Sequence, residues 1–463
     1  MTEKTSFRKR LYDKDKIDFN DLLFNNRSLR KLLIPLILEQ LLNSFMGMAD
    51  TVMVSNVGSA AISAVSLVDA INILIIQVFA ALATGGAIVC SQYIGHNEPK
   101  RANKAAGQVV LVILVISTLI TLGGLIFKDG LLNLIFGSVE EAVMTDARMY
   151  FLITLFSFPC FSLFQAGSAF FRAGGNSRFP MIISVIGNAI NIAGNAVLIF
   201  VFDMGVSGAA LATLISRIFC FAVIFIALAR PKQIIVLNKL SNLKPDFPLI
   251  GKVLAIGIPS GIENGLFQFG KLAIQSAVST LSTAAIAAQA MTIIFEQING
   301  IAGIGIGIGL MTIIGQTIGA GRKEEAKYYM VKLTGVAFIL VFVSCILVFA
   351  LTKPVTYLAG MESISAAMCF EMMLAITIVK PISWTISFIP AYGMRAAGDV
   401  RFSMITGSIT MWIFRVATCI FLIRVCGMGP MAVWIGMFTD WTVRTFAFGY
   451  RYLSGKWLRH RVI

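Results

Sequence analysis

Between Leu29 and Asn56 the chain reads LRKLLIPLILEQLLNSFMGMADTVMVSN. Its apolar part is long enough to cross a bilayer as a helix, which takes roughly 20 residues. Glu39, Asn43, Gly47 and Asp50 interrupt it at a spacing of i, i+4, i+8, i+11, which places them on one helical face. Carboxylates inside a membrane span are costly, so this stripe must face a cavity or a partner rather than lipid. The rest of the chain reads as a housing for it.

Only 13% of the 463 residues are charged and 57% are hydrophobic, with a mean hydropathy of +0.84. A soluble domain carries about 25% charged residues, so this is a polytopic membrane protein. The first 28 residues are polar and charged throughout, which argues against a cleavable signal peptide. The net charge of +15 does not point to nucleic acid, because the basic residues sit in short connections on one side of the spans. There they face anionic headgroups, which makes membrane lipids an expected partner. Cys90, Cys160, Cys220, Cys345, Cys369, Cys419 and Cys426 have no metal-ligand spacing and read as small hydrophobes. His96 and His460 both fall in connections, so no histidine relay crosses the membrane.

Apolar runs at about 29–54, 60–94, 105–127, 149–171, 180–201 and 206–229 are followed by six more at about 253–279, 284–319, 328–351, 367–393, 402–424 and 429–450. They predict an all-α integral membrane protein with twelve transmembrane helices. The chain divides into an N-terminal segment 1–28, an N-lobe 29–235, a linker 236–252, a C-lobe 253–450 and a tail 451–463. Lys100, Arg101, Lys104, Arg172, Arg178, Arg322, Lys323, Lys327, Arg395 and Arg401 all fall on the side that carries both termini, which predicts a multi-pass cell-membrane protein with both ends cytoplasmic. The two halves repeat. Pro35, Glu39 and Gln92 match Pro259, Glu263 and Gln316 at an offset of 224, while RAGGNSRFPM from Arg172 matches RAAGDVRFSM from Arg395 at 223. Two six-span halves that start on the same side form a parallel repeat, the architecture of a transporter with its site at or near the interface of the halves.

The Asp50-Thr51 pair of the first span, the GQTIGAG turn from Gly315 and the paired R-A-x-G-[ND] turns resemble the multidrug and toxic compound extrusion (MATE) transporters, in particular bacterial NorM-type members. The resemblance covers all twelve spans. It implies two pseudo-symmetric six-helix lobes around a central cleft, working as a monomeric exporter of small-molecule drugs in exchange for entering H⁺ or Na⁺. No cofactor beyond that coupling ion is implied, and no enzyme activity or nucleotide motif.

Within that frame Asp50 is the candidate coupling residue, joined by Asp69 of the second span and by Asn191 and Asn195, four residues apart on the fifth. A carboxylate ringed by amides can hold Na⁺ through oxygens, or desolvation can raise its pKa until it carries a proton. Glu39 and Glu263 are repeat-related, each four residues after a proline, and suit either an architectural job or contact with substrate. With Asn43, Met46, Gln268, Lys271 and Glu296 they complete the substrate-cleft candidates. NorM-type members carry a glutamate near Gln268 and an aspartate near Ser383 or Trp384, and this chain has neither. Its C-lobe holds the bases Lys271, Lys380 and Arg415, with Glu296 as counter-ion, and these read as internal ion pairs. The N-lobe spans hold Glu39, Asp50 and Asp69 against one base, Arg217, which favours cationic substrates. The run GIAGIGIGIG from Gly300 alternates like a strand, but an open strand cannot sit in lipid, so it reads as helix with small faces for close packing. The alternative function is a lipid-linked saccharide or lipid flippase of the same superfamily, which the three C-lobe bases would suit.

Overall fold

The computed structural model describes residues 7–137, 139–460 and 462–463, without the side chains of residues 7, 8, 48–51, 55, 240 and 241. Among these the chain is helical and has no strand. The spans are α1 Asn26–Ser55, α2 Ser59–Gly95, α3 Pro99–Phe136, α4 Glu141–Ala173, α5 Arg178–Val201, α6 Gly205–Leu228, α7 Phe247–Val278, α8 Thr283–Gly319, α9 Lys323–Leu358, α10 Ser363–Ala396, α11 Val400–Arg424 and α12 Met431–Leu453. Ten of them are long and apolar enough to cross a membrane. The other two, α7 and α12, have the length, but Glu263 and Lys271 interrupt α7 and Asp440 and Arg444 interrupt α12. Several helices outrun their apolar runs. α3, for instance, starts at Pro99, whose fixed φ suits a first turn, and passes through Lys100, Arg101 and Lys104 before the oil begins.

The turns carry the repeat at atomic level. After α4, Gly175 sits at φ +82° and the Asn176 amide donates to the Phe171 carbonyl at 2.9 Å. After α10, Gly398 at φ +94° does the same job, with the Asp399 amide on the Met394 carbonyl at 3.0 Å. This positive φ is what a glycine just past a helix end supplies. After α2 and α8 the left-handed position falls to Asn97 (φ +58°) and Gly321 (φ +74°), which are 224 apart where Gly175 and Gly398 are 223 apart. The change of offset from 223 to 224 has a physical site. α5 and α11 both carry π-helical turns, Ala196–Val201 and the longer Thr410–Ala417. Such a wide turn absorbs an inserted residue without breaking the helix.

The chain forms two compact units, residues 41–261 and residues 1–40 with 262–462. The boundaries fall inside α1 and α7, not in the connections at 28 and 236–252, so Glu39 groups with the C-terminal helices while Asn43 groups with α2 to α6. In unit 41–261 a core of Val68, Phe79, Phe151, Leu155 and Phe158 joins α2 to α4. The connection after α6 is strapped to α3: Gln108 Nε2 donates to the Asn242 and Lys244 carbonyls at 2.9 Å each, and its Oε1 accepts from the Asp246 amide at 2.9 Å. Asp246 then caps α7 by accepting from the Leu249 amide at 3.2 Å, and Lys104 pairs with it at 2.5 Å.

In the other unit the glycine run is continuous helix within α8. Its two small faces meet different neighbours. A methyl added at Gly303 would lie 2.5 Å from a Trp384 ring carbon, and one at Gly307 2.5 Å from the Tyr392 ring, both on α10. On the other face a methyl at Gly305 would lie 2.9 Å from the Ile37 Cα, and one at Gly309 would strike Leu33. Small residues four apart thus seat α8 against α10 and against the first half of α1. The segment before α1 is ordered on α9: Tyr12 and Phe19 meet the Tyr328 ring edge-on, and the Phe24 amide donates to Tyr329 Oη at 2.8 Å.

Candidate functional site

Unit 41–261 holds a cavity of about 200 Å³. Gly47, Ser66, Asp69, Tyr150, Asn195 and Thr213 give it polar atoms or backbone, and Val54, Ile62, Val65 and Ala209 complete its wall. Asp69 Oδ1 accepts from Asn72 Nδ2 at 3.1 Å and from Tyr150 Oη at 3.4 Å. Behind the wall Asn195 Nδ2 donates to Asn191 Oδ1 at 3.4 Å, and Asn191 Nδ2 donates to Thr213 Oγ1 at 3.1 Å. A chain of amide and hydroxyl oxygens therefore stands beside a carboxylate in one small space. Such an oxygen set suits a hard cation. A carboxylate in such a space is also a group that can take up a proton.

The structure brings together three of the four predicted coupling residues, Asp69, Asn191 and Asn195. The side chain of the fourth, Asp50, lies outside the described residues. Gly47 and Val54, three before it and four after it in α1, both line the cavity. Further along the stripe, Asn43 Oδ1 accepts from Ser184 Oγ and Asn188 Nδ2, each at 3.0 Å. Ser184 and Asn188 were not among the predicted residues. With Asn191 and Asn195 they recur at i, i+4, i+7, i+11, a stripe as regular as that of α1. Tyr150 and Thr213 were missed as well, and neither is distinctive without its neighbours. Met46 is half-buried in α1. Arg217 of α6 donates to Ser157 Oγ at 2.6 Å and lies 4.6 Å from the Phe161 ring centre.

The remaining candidates sit in the other unit. Glu39 is buried at 4% exposure. Glu263 Oε1 pairs with Arg395 Nη2 at 2.7 Å, which gives it a holding role between α7 and α10. Lys380, fully buried, donates to both Glu296 Oε1 (2.5 Å) and the Glu296 carbonyl (2.6 Å). Gln268 is half-buried on the same helix as Lys271. Lys271 Nζ stands 5.0 Å from the Phe267 ring centre, and Arg415 approaches that ring to 5.2 Å. Arg415 also has a carboxylate partner that the sequence reading passed over. Asp440 on α12 pairs with Arg415 at 2.5 Å and with Arg444 at 2.7 Å. The signal was present, since Asp440 and Arg444 are four apart on one face. With Glu39 grouped here and Asp440 found, the contrast in charge between the two halves is smaller than the sequence count suggested.

A model of the MatE family matches residues 35–197 and 259–421, two copies whose starts are separated by the same 224 residues as the repeat. The chain belongs to the MatE family. MatE relatives include the uncharacterized transporter YisQ of Bacillus subtilis, 26% identical over 93% of this chain and 95% of its own length. The probable multidrug resistance protein NorM of Thermotoga maritima is 25% identical over 94% of each chain. Among solved structures, the outward-facing conformation of a multidrug resistance MATE transporter has a TM-score of 0.87 over 99% of both chains at 18% identity, a likeness of fold. This MatE protein is accordingly a secondary transporter with the two-lobed helical fold of its family, not an enzyme.

Proposed function

We propose that this protein is a multidrug efflux antiporter of the cell membrane, with both termini cytoplasmic, which exports cationic amphipathic compounds in exchange for entering H⁺ or Na⁺. The observation that carries the proposal is the small oxygen-lined cavity of Asp69, Asn195 and Thr213 beside the Gly47–Val54 face of α1. The kinship with proteins named for multidrug resistance supports the choice of substrate. An ion entering from outside binds among Asp50, Asp69, Asn191 and Asn195 and biases the lobe toward the state with low drug affinity. The drug leaves and the empty carrier returns. Coupling needs only that ion and drug favour opposite states, so each lowers the affinity of the other.

The test uses purified protein in liposomes loaded with ethidium, under an imposed Na⁺ gradient and then an imposed pH gradient. One of the two gradients should accelerate efflux, and that result names the ion. Efflux indifferent to both would refute the antiport reading.

A further inference from the structure

Unit 1–40 with 262–462 contains a second recess, of about 390 Å³. Its walls are aliphatic: Leu33, Ile34 and Ile37 of α1 face Val336 and Leu340 of α9, with Ile306 of α8 at the back. Gly305 and Gly309 let α1 approach α8 closely, and the recess lies between that half of α1 and α9. At one end, however, the lining turns basic, with Arg30 and Lys332.

Those two bases have no carboxylate partner among the described residues. Lys332 Nζ donates to Asn26 Oδ1 at 2.6 Å and to Tyr328 Oη at 3.1 Å and stands 5.1 Å from the Tyr328 ring centre, contacts that orient the ammonium without a carboxylate to neutralise it. Arg30 Nε reaches only the Asn26 carbonyl, at 3.4 Å. The nearest acids in sequence are engaged elsewhere: Glu324 with Lys327 at 2.7 Å, Glu325 with Arg322 at 3.3 Å. Arg27 and Lys31 are exposed beside Arg30 and add to the positive field. From the bases the apolar slot runs seven residues along α1 and eight along α9, about 10–12 Å at the helical rise. That is most of the depth of one leaflet, since the hydrocarbon core is about 30 Å thick.

We propose that this slot binds an anionic phospholipid, its phosphate held between Arg30 and Lys332 and one acyl chain laid between α1 and α9. The chemistry at the two ends selects it. A soluble anion would leave the aliphatic walls wet, and an uncharged amphiphile would leave the bases unmatched. Clustered bases at a membrane surface favour acidic lipid, and here the slot adds a fixed place for the chain. The lipid braces the first half of the helix whose second half lines the polar cavity.

The test is native mass spectrometry of the full-length protein in detergent, titrated with dioleoyl phosphatidylglycerol or with dioleoyl phosphatidylcholine. The wild type should retain the phosphatidylglycerol preferentially. Arg30→Gln with Lys332→Gln should weaken that binding about thirtyfold, from about 1 kcal/mol for each base lost at 1.4 kcal/mol per tenfold. Val336→Trp, at a position already 38% exposed and so tolerant in folding, should fill the slot and reduce retention of both lipids. Equal retention of the two lipids by the wild type would overturn the proposal, as would undiminished selectivity in the double variant. Inorganic phosphate that displaces phosphatidylglycerol at millimolar concentration would show a soluble-anion site instead. A chain that dimerises, and stops doing so in Val336→Trp, would show that the slot seats a second copy.

Discussion

Asp440→Asn should be among the most destabilising single changes in this protein. Asp440 is fully buried, and the Arg415 and Arg444 side chains it holds are each 4% exposed. The substitution nearly keeps the shape but removes the charge. Each guanidinium then loses an attraction of about 4 kcal/mol, taking opposite charges about 4 Å apart at an effective dielectric constant of 20. The repulsion between the two guanidinium groups, present in the wild type as well, is then no longer offset by the carboxylate they share. Part of this is recovered by relaxation and water entry, and measured losses from breaking buried pairs are about 3–5 kcal/mol. That is the expected loss here. The triple change Arg415→Met, Asp440→Leu, Arg444→Met removes the whole cluster and should recover most of it. A residual cost of about 1 kcal/mol should remain, because Arg444 Nη2 also donates to the Gly407 carbonyl at 2.9 Å. The assay is thermal and chemical unfolding in detergent, followed by tryptophan fluorescence, with Trp441 packed beside the cluster in α12. An Asp440→Asn protein that unfolds like wild type would refute the reasoning. If such a protein were also inactive, the carboxylate would have to be handling an ion rather than holding α11 to α12.

Lys380→Ala should cost about 3–5 kcal/mol by the same measurement, because it strands Glu296; a wild-type melting curve would remove the pairing between α8 and α10. Gly305→Ala should destabilise by about 1–3 kcal/mol through overpacking, since the nearest atom is the Ile37 backbone, whereas Gly265→Ala, with open space around it, should be neutral or stabilising. Lys104 beside Asp246, with the Leu249 amide as a second cause, holds that carboxyl below the usual carboxylate range. Its folded pKa is therefore depressed, so its stabilisation is present above the unfolded pKa of about 3.9 and is lost as pH falls through the lower folded value. Asp246→Asn should flatten the acid limb of a stability–pH curve measured between about pH 5 and 2; an unchanged limb would mean that the strap from α3 to α7 is not held by this charge.

Much of this was legible in the sequence, because membranes simplify the code. Every backbone group must be satisfied within a helix, so apolar length located most of the spans, and the glycine run could be assigned to helix against its own alternation. The repeat was legible because the turns need left-handed residues at fixed places, and Gly175 and Gly398 sit at equivalent ones. The polar stripe of α1 was legible from its period. What escaped depends on partners brought from far along the chain. Asp440 and Arg444 were visible as a pair, but nothing in the sequence said that Arg415 would join them. The boundary between the two units inside α1 and α7 follows from which helices each half touches, and no composition shift marks it. Likewise Gly303 and Gly305 look alike in the sequence, yet one meets Trp384 and the other Ile37.

The central claim is that α1 and the cavity beside it exchange an ion against drug, and Asp50→Asn tests it most directly. The amide keeps the size and a carbonyl oxygen of the acid but cannot titrate. Removing a carboxylate from an apolar span lifts a desolvation cost, so the protein should still fold. Reconstituted Asp50→Asn, matched to wild type in expression and melting temperature, is loaded with ethidium and placed under the gradient that drives the wild type. Gradient-driven efflux should collapse while ethidium binding survives, and Glu39→Gln, 11 residues and about 16 Å away along the same face, should retain more of it. Wild-type efflux by Asp50→Asn under the same gradient would contradict the account.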